Sequence, residues 1–284
     1  MIDQPFKTKE AWIEYFSTVD IPILRQTARR LEEISLAIDH VNGRDIAAIV
    51  LQDPLLAVKV LAYIQRFRSG YLHSDITTIA NAVMMIGVNP FFAHFKSPST
   101  IETVLKKEPP QVQLGVLYVI RRVQRASRYA QAWALERHDM NIEEVALAAL
   151  LHDLAEILLW CFAPRLAIEI RRRQQADPSL RSATAQMQVL GIRLFDLQLA
   201  LCDAWHLPEL LKMLMDDVNA ELPRVRNVVL AVNLARHSAN DWDNPALPDD
   251  FDAIGKLLRI DRQTLLARLN VPDETAWKYL ALRP

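Results

Sequence analysis

Apolar residues recur at three- and four-residue spacing along most of the chain, while runs that alternate apolar with polar positions are missing. That pattern predicts helices and no strands, so an all-α fold is expected. The most apolar stretch, residues 141–161 (NIEEVALAALLHDLAEILLWC), places Val145, Leu147, Leu150, Leu154, Ile157 and Leu158 around the whole turn. It is expected to be a central buried helix. Asn141 with Glu144 three residues later reads as a capping box at its start. His152, Asp153 and Glu156 interrupt the apolar run short of the ~20 residues a bilayer needs, which favours a core helix over a membrane span. A charged Asp inside such a helix is costly unless a metal, a cation or backbone donors meet it. What Asp153 meets is therefore the question the sequence poses.

Before this stretch the periodicity and its punctuation predict helices over residues 11–16, 23–38, 45–51, 55–64, 78–86 and 88–95. Asp20-Ile21-Pro22 and Asn42-Gly43 separate the first three, Asp53-Pro54 caps the fourth, and Gly87 closes the fifth as a left-handed cap. The two helices over 44–66 are spaced like a helix–turn–helix, but Leu55, Leu56, Val58, Val60, Leu61 and Ile64 fill most of the second. DNA reading needs polar and basic side chains there, so a DNA-binding role is disfavoured. The loop 66–75 interleaves Arg66, Phe67, Arg68, Tyr71 and His73, either a wet connection or an interaction surface. Pro98, Pro109 and Pro110 mark residues 96–110 as the best internal boundary.

A long helix is expected from 111 to about 136, with Val112, Val116, Ile120, Val123, Ala126 and Ala130 on its core face. Arg121, Arg122, Arg125 and Arg128 lie opposite or beside that face, and 121, 125 and 128 share one side. His138-Asp139 follows in a polar turn with no apolar surroundings to hold a metal. After the central helix come predicted helices at 165–176, 183–190, 194–204, 209–215 and 225–237, then an acidic loop at 240–252 and two short helices between 251 and 269.

Composition narrows the function classes. Lys plus Arg number 33 against 34 Asp plus Glu in 284 residues, so overall charge provides no drive toward nucleic acid or an anionic membrane. The two cysteines, Cys161 and Cys202, sit in apolar settings without CxxC spacing, which fits a reducing cytoplasm and suggests neither zinc nor a redox pair. The first residues, MIDQPFKTKEAWIEYF, lack the apolar core of a signal peptide.

Several separated pieces together resemble the bacterial HD-related output domain family, HDOD, relatives of the HD metal-dependent phosphohydrolases. They are Ile21-Pro22-Ile23, Asp45-Ile46-Ala47 leading to Gln52-Asp53-Pro54-Leu55, and Ala82-Val83-Met84-Met85-Ile86-Gly87. In the second half, Ala149-Leu150-Leu151-His152-Asp153-Leu154 and Trp205-His206-Leu207-Pro208 complete the series. The resemblance implies an N-terminal segment at 1–15, an HDOD domain at 16–238 and a C-terminal helical extension at 239–284. Within the domain it implies a first lobe at about 16–97 and an HD-like lobe at about 109–238. The chain departs from the family at Gln65-Arg66, where Asn-Ser is usual, and around Asp216-Asp217 or Val218-Asn219, where a paired histidine is usual.

The enzyme relatives hold metal through a histidine on the preceding helix, the His-Asp pair and a later aspartate. Here those outer positions fall on Arg125 and near Asn233, and a further histidine position falls on Leu194. A metal that activates water needs about three convergent ligands and an open position, so His152 and Asp153 are expected to be vestigial, with no cofactor. Arg125 is the candidate counter-ion for Asp153, its guanidinium standing in for the metal. The resemblance implies a non-catalytic signal-transduction module of the bacterial cytoplasm whose partners are other signalling proteins, with no membrane partner and nucleic acid disfavoured. Two alternatives remain: residual phosphohydrolase activity through His152 and Asp153 with Glu156, or anion and nucleic-acid binding through Arg121, Arg122, Arg125 and Arg128.

Overall fold

Helices begin where side chains can accept free backbone N–H groups. The computed structural model describes residues 1–66, 76–177 and 179–281, and helices account for every regular element among them. In chain order these are α1 (Lys9–Thr18), α2 (Arg25–Ser35), α3 (Gly43–Val50), α4 (Pro54–Arg66), α5 (Ile79–Ile86), α6 (Val88–His94), α7 (Ile101–Val104) and α8 (Pro110–Glu136). Then follow α9 (Ile142–Leu151), α10 (Leu154–Phe162), α11 (Pro164–Ala176), α12 (Ser182–Leu190), α13 (Leu194–Ala204) and α14 (Glu209–Met215). The chain closes with α15 (Pro223–His237), α16 (Leu247–Leu258), α17 (Arg262–Arg268) and α18 (Asp273–Leu280). The expected all-α class is what the structure shows. The only β-type pairing among the described residues is one parallel bridge between Ile23 and Thr100.

The chain divides into two compact units, Met1–Arg121 with Asp153–Lys212, and Arg122–His152 with Met213–Pro284. In the first unit, α3 takes a full capping box: Asn42 accepts from the N–H groups of Arg44 and Asp45, and Asp45 accepts from Asn42 in return. Asp53 does more. Its Oδ1 accepts from the N–H groups of Leu55 (3.0 Å) and Leu56 (3.2 Å) at the start of α4, and its Oδ2 from Leu24 (2.8 Å) before α2. One buried carboxylate thus fixes two helix starts. Residues 1–15 are packed into this unit, with Ile2 donating to the Phe162 carbonyl at 2.7 Å and Phe6, Trp12, Phe16 and Phe162 forming an aromatic cluster. Gly115 on α8 lies against the Trp160 ring, which a Cβ would meet at 2.4 Å.

The second unit is built on α15, which packs against α9 and α16. His237 Nδ1 and Asp250 Oδ2 share a hydrogen bond at 2.6 Å that ties α15 to α16. Arg262 bonds Asp252 and the Tyr279 carbonyl, and the Tyr279 hydroxyl donates to the Trp242 carbonyl, which docks α18 onto the same core.

Several expectations are corrected. The central stretch is not one helix: α9 and α10 are separated by a turn at His152-Asp153, where Asp153 has φ −106° and ψ 27° and its carbonyl accepts from Glu156 and Ile157. Asn141 makes no side-chain cap, and the Glu144 carboxylate, instead of reaching back to Asn141, accepts from Arg224 Nη2 at 2.6 Å. Gly87 does have positive φ, 81°, but with ψ 154° it is extended rather than left-handed helical. The expected acidic loop at 240–252 already contains the first turns of α16, and α18 had no counterpart in the pattern. The interleaved Arg66, Phe67, Arg68, Tyr71 and His73 surface lies outside the described residues, apart from the backbone of Arg66.

Candidate functional site

The His-Asp turn is the starting point. On the second-unit side, His152 follows the last turn of α9 with its side chain 9% exposed, and its Nε2 lies 3.9 Å from Oδ1 of Asp217. Asp217 belongs to the short 3₁₀ turn Asp217–Asn219 that packs against α15.

Arg125 is half-buried on α8, and its Nη2 donates to the Ala235 carbonyl of α15 at 2.6 Å. Its Nε is buried without a hydrogen-bond partner. One turn further on, burial raises the pKa of Tyr129, while Arg125 and Arg128 pull it back in part. Asn227 donates to the Ala130 carbonyl at 3.1 Å, so α8 and α15 are joined by two side-chain-to-backbone bonds. Asn233, near which the enzyme relatives' terminal aspartate position was expected, is half-buried on α15.

On the first-unit side Asp153 is buried, Glu156 half-buried and Leu194 buried. The N–H of Ala155 donates to Oε1 of the buried Gln198 at 2.8 Å, which anchors the first turn of α10 to α13. Cys161 and Cys202 are free and buried; burial pushes the Cys202 thiol up to about 12, so neither is poised as a nucleophile.

The four arginines do not make a continuous outward stripe. Arg121 and Arg128 are exposed, Arg125 is held by Ala235, and Arg122 is buried. The expectation that Arg122 lies outside the core face is corrected: it is adjacent in the helix to buried Val123 and close to the buried side of α8. His138 adopts φ 57° at the end of α8, where His138 N donates to the Leu135 carbonyl and Asp139 N to the Ala134 carbonyl. That is a helix-ending turn.

A metal of the kind the HD enzymes use does not fit these residues. Among the described residues no three His, Cys, Asp or Glu side chains are gathered to hold one, and the ligand position on α8 carries a guanidinium bonded to a carbonyl.

The arrangement is thus that of an all-α protein built from many helices. The chain belongs to the HDOD domain family, whose sequence model matches residues 21–220. Among solved structures it is similar to the MmoQ response regulator of Methylococcus capsulatus, with a TM-score of 0.65 and 14% identity over 94% of this chain and 100% of that one. It is also similar to a virulence factor of Campylobacter jejuni, with a TM-score of 0.68 and 18% identity over 97% of this chain and 98% of that one. At such identities the likeness is one of fold. No curated protein matches the chain.

Proposed function

We propose that the chain is a non-catalytic regulatory module of the bacterial cytoplasm that acts by binding other proteins. The donor set around His152 carries this reading. Asp217 Oδ1 lies 3.9 Å from His152 Nε2, and by the resemblance the enzymes' outer ligand positions fall on Arg125, on Leu194 and near Asn233. A guanidinium, an aliphatic chain and an amide are poor replacements for metal ligands. Membership of the HDOD family and a fold shared with a protein described as a response regulator support a regulatory role. The reduced, buried state of both cysteines fits a reducing compartment.

Elemental analysis tests this. Protein purified without chelator or nickel resin is measured beside its His152→Ala, Asp153→Ala double variant. The expected result is no metal near one equivalent in either. Near-stoichiometric iron, manganese or zinc that the double variant loses would overturn the non-catalytic reading in favour of a phosphohydrolase.

A further inference from the structure

The first unit carries an arginine face built by α8 and α11. Leu114, Tyr118 and Arg121 follow one another at i, i+4 and i+7 on α8 and so share one side of that helix. Leu114 is 65% exposed, Tyr118 half-buried and Arg121 exposed. From α11 the exposed Arg171 lays its guanidinium over the Tyr118 ring, 5.8 Å from the ring centroid. The ring therefore has one arginine stacked on it, a second arginine one turn after it and an apolar side chain one turn before it.

Neither guanidinium is neutralised. Among the described residues, Arg121 and Arg171 make no ion pair and no hydrogen bond. The acid nearest to Arg171 in sequence is already committed: Glu169 accepts from Arg172 Nε (2.8 Å) and Nη2 (2.9 Å) and from Arg173 Nε (2.8 Å). Residues 110–121 of α8 contain no acid, and α12, which packs on α11, contains no charged residue.

The kind of anion this face fits follows from its side chains. Both helices use arginine without lysine, and a guanidinium offers paired N–H donors that match a carboxylate, as Arg172 does on Glu169. Two unpaired arginines are a small footprint for a nucleic-acid backbone, whose affinity grows with the number of phosphates neutralised. The formal charge of −1 on the whole chain adds no long-range pull toward one. An exposed leucine beside a tyrosine gives a phosphate backbone nothing, whereas apolar and aromatic anchors flanked by arginine are the composition of protein-binding surfaces.

We propose that this face docks an acidic segment of a partner protein, with carboxylates on Arg121 and Arg171 and an apolar side chain on Leu114 and Tyr118. The inference rests on the interaction-module reading and names the surface and the chemistry of its partner.

The test titrates the full chain into the fluorescein-labelled peptide EEELEEE and follows its fluorescence anisotropy. Saturable binding that weakens as salt is raised is expected. Arg121→Glu and Arg171→Glu should each weaken it roughly tenfold, and Leu114→Ser should weaken it less. Melting curves should stay unchanged, because all three side chains are exposed. Arg30→Glu makes the same charge change at an exposed position of α2 and should leave binding unaltered. No saturable binding, binding that Arg121→Glu and Arg171→Glu leave unchanged, or an equal loss with Arg30→Glu overturns the proposal. A labelled oligothymidylate that binds more tightly than the peptide and responds to the same two variants overturns it in favour of nucleic acid. Failure of the peptide to bind metal-free protein sinks this face and leaves the module reading standing. Near-stoichiometric metal that is lost in the His152→Ala, Asp153→Ala variant removes the module reading whatever the peptide does.

Discussion

Replacing Asp53 with Ala removes the acceptor of three backbone N–H groups at once, those of Leu24, Leu55 and Leu56, together with a bond from Thr27. The Leu24 N–H is buried and has no water to replace the lost partner, a cost of about 1–3 kcal/mol. Losing the cap of α4 adds about 1 kcal/mol. With the orphaned Thr27 hydroxyl, the expected loss is on the order of 3–5 kcal/mol. One effect opposes it. Burial pushes the Asp53 carboxyl above its ordinary range, and the bonds from Leu24, Thr27, Leu56 and Leu55 pull it only part of the way back. The native state therefore binds more protons at this group than the unfolded chain, and its contribution to stability falls as pH rises through the ordinary carboxylate value up to the raised one, then levels. Asp53→Asn removes the charge and keeps one acceptor oxygen, so it should cost less than Asp53→Ala. The stability gap between wild type and Asp53→Asn should narrow as pH rises through that window. Urea unfolding followed by circular dichroism between about pH 4 and pH 7 measures both. A loss below about 1 kcal/mol for Asp53→Ala, or a gap that widens with pH, refutes the reasoning.

Gly115→Ala places a Cβ 2.4–2.6 Å from three carbons of the Trp160 ring. Overpacking of about 1–3 kcal/mol should outweigh the ~1 kcal/mol that Ala gains over Gly in a helix, so the melting temperature should fall; a rise would contradict the packing of α8 on α10. Arg125→Ala should cost about 1.5–3 kcal/mol, because it removes the guanidinium bond to the Ala235 carbonyl. Urea unfolding measures it, and an unchanged melting curve would contradict a role for that bond in holding α8 to α15.

Features set by neighbours in the chain were legible in the sequence. The Asn42–Asp45 box, the Asp53-Pro54 start of α4 and the position of the Gly87 turn all follow from local hydrogen-bonding needs, and each is found. The break at His152-Asp153 was not legible, because the apolar pattern on both sides is continuous and either a single helix or two would bury it. Glu144 shows the same limit: its spacing from Asn141 fits a cap, but Arg224, eighty residues away, competes for the carboxylate and wins. The Arg121–Arg128 region was misread for a related reason. Spacing tells which arginines share a face, but the neighbours of α8 decide which face is covered, and Arg122 falls on the covered side.

The histidines sharpen the functional reading. Of the seven in the chain, His138 and His206 adopt the left-handed conformation that closes α8 and α13, and His237 is engaged by Asp250. His94 is stacked on Tyr63, and His40 sits in the exposed 3₁₀ turn Ile38–His40. With His73 outside the described residues, that leaves His152, half-buried with its Nε2 3.9 Å from Oδ1 of Asp217. A hydrolytic metal centre needs several such ligands converging on one point, whereas a binding module needs only that the helices around it pack and that their surfaces keep their shape. The core faces of α4, α9, α10 and α15 are closed by apolar side chains, and among the described residues the histidines are distributed among turns, a ring contact and a tie between helices.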